Sequence, residues 1–266
     1  MNHPIGIFDS GVGGLTLLDK LVKALPEESF EYYGDSGNCP YGTKTIEEIM
    51  QHTTHIMDYL MQKNCKMIIV ACNTITTNII EQLRSIYPVP IIGMEPGTKP
   101  AYAISTSKRI GILATAGTIN GQLYNKTLEQ FSEKAFFISQ VGAGLVELIE
   151  QNSIESVRMK EQLQLLLQPM IDSVIDTLVL GCTHYNYLTA VLTDIFPYPI
   201  KIVDTRNAVT NQVKRILHEK ELISTEQHRI VTITTTGDLE LLKQILMRLQ
   251  MHNAVLNLNK AVPYNM

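Results

Sequence analysis

The sequence predicts an α/β fold of parallel sheets arranged as two related halves. Short apolar runs rich in β-branched residues alternate with helical patterns along the 266 residues. One such run ends at Cys72 and another, 110 residues on, ends at Cys182. Gly6-Ile7-Phe8-Asp9-Ser10-Gly11 is echoed by Gly111-Ile112-Leu113-Ala114-Thr115-Ala116-Gly117 at a separation of 105. Near-continuous apolar strands are expected where helices cover both faces of a parallel sheet, and strand-helix alternation is the pattern that builds one.

Residues 5–8 form the first expected strand. Asp9-Ser10-Gly11-Val12-Gly13-Gly14-Leu15 follows and enters a helical pattern through Leu15, Leu18 and Val22. Glycines there let a ligand approach the backbone, while free amides and the helix dipole hold an anion such as a carboxylate. The plain alternative is a glycine-lined turn capped by Asp9 or Ser10. After the second expected strand, 30–33, Asp35-Ser36-Gly37-Asn38-Cys39-Pro40-Tyr41-Gly42-Thr43 offers several hydrogen-bonding groups among turn formers, or is an ordinary polar connection.

Ile46, Ile49, Thr53, Ile56 and Leu60 share one helical face, with Thr45 as N-cap and Glu47 and Glu48 in the first turn. His52, His55 and Asp58 on the same helix read as a solvated face rather than a metal site. Further strands are expected at 67–71 and 89–93, before Glu95-Pro96-Gly97-Thr98-Lys99-Pro100 breaks the periodicity and marks a boundary. The pattern resumes with strands at 109–113, 135–141, 177–180 and 200–203, and with a helix through Leu145, Leu148 and Ile149. A helix after about Arg206, a strand at 230–234 and a last helix exceed a simple two-part repeat. Thr234-Thr235-Thr236-Gly237-Asp238 reads as a strand end and helix cap.

Composition places the chain among ordinary folded proteins, with 45% hydrophobic and 18% charged residues. A net charge of −4, a pI near 6.0 and no basic stripe argue against a nucleic-acid surface and favour a small-molecule partner. No membrane-spanning apolar run or signal-peptide pattern is present, so a cytoplasmic location is expected. Four cysteines without a CxxC pair suit reduced thiols better than a disulfide framework or structural zinc site.

Cys72 and Cys182 are the distinctive pair. A thiol between a strand's carboxyl end and a helix's amino end faces the positive end of the helix dipole, which is expected to lower its pKa below about 8.5. Two such thiols serve as paired bases, although each read alone is equally a buried structural cysteine. His184, two residues beyond Cys182, is placed to orient a ligand or exchange protons near neutral pH. Cys39 lacks the strand-to-helix setting and reads as a bystander, while Cys65 reads as a small packed residue ending its helix. A zinc site of Cys72, Cys182 and His184 has unconvincing spacing, so no metal is expected.

Through IGIFDSGVGGLT from Ile5, CPYGTKT from Cys39, ACNTIT from Ala71, GMEPGTKPA from Gly93, ATAGT from Ala114 and LGCTHYNYL from Leu180, the chain resembles the glutamate racemases of the aspartate/glutamate racemase superfamily. The resemblance spans most of the chain and implies two flavodoxin-like parallel-sheet domains related by pseudo-symmetry, with the active site between them. Residues 1–97 and 208–266 would form a discontinuous first domain and 98–207 the second. It further implies an isomerase that interconverts L- and D-glutamate without cofactor and supplies D-glutamate for peptidoglycan. Cys72 would act on D-glutamate and Cys182 on L-glutamate, because one fixed side chain cannot reach both faces of Cα.

By the same resemblance, substrate contacts would come from Asp9, Ser10, Tyr41, Gly42, Asn73, Thr74, Thr183 and His184. Asp9 would accept a proton or hold the ammonium, His184 would serve Cys182, and Glu150 matches an acidic auxiliary position. The plain alternative for Glu150 is a surface charge on its helix. The chain departs from the family pattern at Gly142-Ala143, where Cys-Pro is frequent, and at Thr205-Arg206, where Ser-Gly is frequent. Aspartate racemisation is the nearest alternative activity. A noncatalytic amino-acid-binding or regulatory protein, acting on a DNA-handling partner in some relatives, is a more distant one. A homodimer is left open.

Overall fold

The computed structural model describes residues 3–225, 230–251 and 256–262. The first sheet is entered by β1 (Ile5–Asp9), followed by α1 (Leu15–Ala24), β2 (Phe30–Gly34), α2 (Ile46–Gln62), β3 (Met67–Val70), α3 (Asn73–Ile86) and β4 (Ile91–Gly93). The chain then passes through α4 (Thr98–Ile104) into β5 (Arg109–Ala114), α5 (Ala116–Ile119), α6 (Gln122–Glu129), β6 (Phe136–Val141), α7 (Leu145–Glu150), α8 (Val157–Asp172), β7 (Thr177–Gly181), α9 (Thr189–Ile195) and β8 (Lys201–Val203). It closes with α10 (Arg206–Glu219), β9 (Val231–Thr235), α11 (Leu239–Arg248) and β10 (Leu256–Lys260).

Among the described residues all strand pairings are parallel, in a six-stranded sheet of order β10-β9-β2-β1-β3-β4 and a four-stranded sheet of order β6-β5-β7-β8. The two orders share one pattern: β2-β1-β3-β4 corresponds strand for strand to β6-β5-β7-β8. This doubly wound arrangement places ligands at the carboxyl ends of its strands, where the order reverses. Cys72 follows β3 and Cys182 follows β7, so the thiols occupy equivalent positions in the two sheets. The segment beyond the repeat joins the first sheet, β9 pairing with β2.

Burial explains why the central strands are so apolar. Ile5, Ile7, Ile68, Ile69, Val70, Leu178 and Val179 are fully inaccessible to solvent, each contributing about 1.5–3 kcal/mol of apolar burial. Helix α2 starts as the sequence predicts: Thr45 accepts from the Glu48 amide and the Glu48 side chain returns to the Thr45 amide. Asp238 likewise caps α11, accepting from the Glu240 and Leu241 amides.

Several expectations are corrected. The fourth strand begins at Ile91 rather than at 89, Pro90 lying at its mouth, where a missing amide is tolerated. Cys65 lies beyond α2, which ends at Gln62, though it is buried. The edge strand β10, Leu256-Asn257-Leu258-Asn259-Lys260, has no counterpart in the expectations. Its alternate asparagines disfavour strand structure locally, and pairing with β9 supplies the stabilisation.

A buried ion pair holds the chain after α10 against the first sheet. Lys66 Nζ stands 2.6 Å from Glu28 Oε2 and donates to the Leu222 carbonyl at 2.7 Å, while the Ser224 amide donates to Glu28 Oε1. The two passages between the sheets lie side by side, since a β-carbon at Gly97 would stand 2.7 Å from Val203 and 3.0 Å from Thr205.

Candidate active site

A cavity of about 260 Å³ lies between the sheets. It is lined by Ser10, Tyr41, Gly42, Cys72, Asn73, Thr74, Cys182, Thr183 and His184, all residues the sequence singles out, together with Pro40, Thr115 and Val146. Thr115 lies in the echo of the first glycine motif, so a signal for it was present. Pro40 sits beside Tyr41 in a motif already noted, whereas Val146 is an apolar helical position with no chemical mark.

The carboxyl ends of β1 and β2 build one wall. Asp9 is fully buried and accepts from the Gly14 amide at 2.6 Å and from Thr183 Oγ1 at 3.1 Å, thereby joining the two sheets. Burial raises its pKa, and His184 and the Gly14 amide pull it back only in part. Asp35 fixes the following loop: it accepts from the Tyr41 hydroxyl at 2.6 Å, the Asn38 amide nitrogen at 3.0 Å and Thr236 Oγ1 at 2.8 Å. Thr236 therefore braces the loop from β9. Its role depends on tertiary folding, which its local sequence does not announce.

Cys72 caps α3, and its sulfur lies 3.6 Å from Ser10 Oγ. The expected lowering of its pKa is not found. Burial pushes the thiol up to about 12, the Asp9 charge adds to this, and the Ile75 amide and Ser10 hydroxyl recover only part. The half-charge of a helix end is too small to offset loss of solvent around a full negative charge. Asn73 donates to the Met94 carbonyl at 2.8 Å, and Thr74, Thr115 and Thr118 join hydroxyls across the rim, Thr74 to Thr115 at 2.8 Å.

Cys182 differs in its surroundings. A 3-10 segment, Thr183–Leu188, follows it before α9, in place of an immediate α-helix. His184 is buried, with Nδ1 3.8 Å from the Cys182 sulfur and Nε2 2.5 Å from Glu150 Oε1. Burial works against its charged form, but Cys182, Cys39 and Glu150 outweigh burial and hold its pKa well above the ordinary range. Glu150 is correspondingly lowered: burial opposes its charge, while His184 and the Val12 amide at 2.7 Å favour it. Both shifts favour an imidazolium paired with a carboxylate.

Glu150 is thus turned inward, against the alternative of a surface charge on α7. The Gly142 departure also has a local reason: the Tyr185 hydroxyl donates to its carbonyl at 3.1 Å, and a β-carbon there would collide with that hydroxyl. Asp9 and Glu150 reach the cavity through Thr183 and His184 rather than lining it. Cys39, which reads as a bystander in the sequence, stands within 4.8 Å of Glu150 and His184 ligand atoms. His52 is likewise buried rather than solvated, its ring 5.6 Å from that of Tyr41, whereas His55 and Asp58 are exposed.

Paired parallel sheets with a cysteine at the same strand end in each, both lining one small cavity, define an α/β protein with a site between its sheets. The sequence model of the Asp/Glu/Hydantoin racemase family matches residues 5–213, and the chain belongs to that family. It is an isomerase of the racemase class. A glutamate racemase of Pseudomonas entomophila (strain L48) is 39% identical over 251 residues, covering 94% of this chain and 95% of the relative. The fold is similar to the crystal structure of glutamate racemase isoform RacE1 from Bacillus anthracis, with TM-score 0.87, 28% identity and all of both chains covered. It is also similar to glutamate racemase from Francisella tularensis in complex with D-glutamate, with TM-score 0.84, 28% identity and 97% of each chain covered. Among the described residues, no helix is long and apolar enough to cross a membrane.

Proposed function

We propose that this protein interconverts L- and D-glutamate by a two-base mechanism, with Cys72 and Cys182 on opposite faces of Cα, and that it supplies D-glutamate for peptidoglycan. The observation that carries the reading is the placement of the thiols after equivalent strands, both lining one cavity. One sulfur takes the Cα proton as thiolate while the other returns a proton as thiol, and the reverse reaction exchanges the roles. Cys72, held protonated by burial, is the donor for reaction of L-glutamate, with Cys182 the acceptor. The His184 imidazolium lies against the Cys182 sulfur and counters charge that develops there during transfer.

Asp9 acts on the substrate through Thr183, while Ser10, Tyr41, Gly42, Asn73, Thr74 and Thr183 line the cavity and hold the substrate's polar groups. The small cavity favours a compact amino acid. Both proton carriers come from the chain, so turnover proceeds without cofactor. Residues 1–97 with 208–266, and 98–207, act as two domains that part to admit substrate, in the cytoplasm.

Circular dichroism of each glutamate enantiomer with protein alone tests this reading, and L-aspartate in a parallel assay tests specificity. One methylene separates the two substrates, worth about 1–3 kcal/mol in a pocket. Loss of optical signal from both glutamate enantiomers is expected, before and after dialysis against chelator. Preference for aspartate, or activity that returns only on adding pyridoxal phosphate or metal, would overturn it.

A further inference from the structure

Cys39, Glu150 and His184 come from the loop after β2, the end of α7 and the segment after β7, and the functional reading uses only the last two. One ligand atom from each lies within 4.8 Å of the others. Thiolate, carboxylate and imidazole together are a donor set for a borderline-soft divalent ion, whereas calcium and magnesium take oxygen alone. Around tetrahedral zinc, with bonds of about 2.0–2.3 Å, such atoms stand roughly 3.3–3.7 Å apart. The 2.5 Å separation of Glu150 Oε1 and His184 Nε2 would widen by about 1 Å, and Cys39 would close by at most a similar amount. Both changes lie within side-chain rotation.

The surroundings suit an ion. Cys39 and Glu150 are partly exposed, which leaves a route from solvent, while His184 is buried behind them. The Val12 amide already orients the Glu150 carboxylate, as an outer-shell donor does for a metal ligand. Gly11 leaves the backbone bare beside the cluster, since a β-carbon there would meet both Glu150 and His184 Nε2.

We propose that Cys39, Glu150 and His184 form an inhibitory zinc site, with water as fourth ligand. Zinc binds the Cys39 sulfur with release of the thiol proton to solvent, and takes the Nε2 lone pair of His184, whose proton is also released. His184 is then held by the metal and no longer serves Cys182 as a free imidazolium, so racemisation stops. The inhibitory effect rests on the role proposed for His184; the binding does not.

The test uses chelator-stripped, full-length protein titrated with Co²⁺, whose thiolate complexes absorb in the near ultraviolet by charge transfer. One saturable equivalent with a thiolate band is expected, displaced by Zn²⁺, retained in Cys65→Ser and lost in Cys39→Ser. Racemisation by the wild type and by Cys65→Ser should fall in Zn²⁺ and return with chelator. In Cys39→Ser, measured against its own zinc-free rate, the half-inhibiting concentration should rise roughly tenfold or more. A missing thiolate band, or one that survives Cys39→Ser, overturns the site, the latter pointing to Cys72 and Cys182 as ligands. Binding with undiminished turnover overturns the inhibitory role. A protein that binds cobalt through Cys39 but does not racemise glutamate keeps the site and refutes the functional reading instead.

Discussion

The two thiols are equivalent in topology and unlike in chemistry. Cys72 faces Ser10 and a buried Asp9, whereas Cys182 faces an imidazolium backed by Glu150. Serine at either position should lower racemisation by roughly 10²–10⁴-fold, since a hydroxyl is a far weaker acid of similar size. Elimination from a halogenated glutamate analogue needs proton removal but no return, so each mutant should keep a preference for one enantiomer, and the two preferences should be opposite. The same preference in both would refute the assignment. Glu150→Gln removes an anion that holds His184 above its ordinary range, so the alkaline limb of the pH-rate profile should move to lower pH. His184, with its folded value raised, contributes stability that is complete below its unfolded value of about 6.5 and is lost as pH rises through the folded value. The urea midpoint should therefore drop more between about pH 6 and about pH 9 in the wild type than in Glu150→Gln. His184 was legible because it neighbours Cys182 in sequence. The arrival of Cys39 beside it was not, because three separate segments make that contact and the local setting of Cys39 carries no trace of it.

Elements were legible in proportion to how much of their stabilisation is local. The start of α2 is written in Thr45 and Glu48, and the helix begins there. By contrast, Leu256 to Lys260 depends on the neighbouring β9, and the six-residue 3-10 segment after Cys182 depends on side chains such as Tyr185, whose hydroxyl reaches Gly142. The attachment of the carboxyl-terminal segment was open on residue patterns alone, because strand order is a long-range property. Part of that attachment rests on Lys66 and Glu28. Lys66→Met leaves the Glu28 carboxylate buried without its partner and should cost about 3–5 kcal/mol in denaturant unfolding. Combining it with Glu28→Leu should recover most of that loss, since a buried pair is often replaceable by apolar residues of similar volume. A double mutant as unstable as the single one would show that packing, not charge, is responsible.

At the scale of the whole molecule the cavity is small and its rim is tied, and the proposed function has the two sheets part to admit substrate. Helices α3 and α6 meet at that rim, where a β-carbon on Gly121 would lie 2.6 Å from that of Thr77. Opening by about 1 Å reaches the roughly 3.8 Å spacing of a disulfide. Thr77→Cys with Gly121→Cys, oxidised and checked by free-thiol count, should lose most turnover and regain it on reduction; full activity in the oxidised form would show that entry needs no parting. The unlike flanks of the two sulfurs carry a final consequence. Mirror-image solutes have equal free energy in water, so for such a pair the equilibrium constant is one whatever the catalyst. The Haldane relation then forces kcat/KM to be identical in the two directions, and Asp9 on one side with His184 on the other cannot favour either product. Their difference is confined to how that common ratio divides, one enantiomer held more tightly and turned over more slowly than its mirror image.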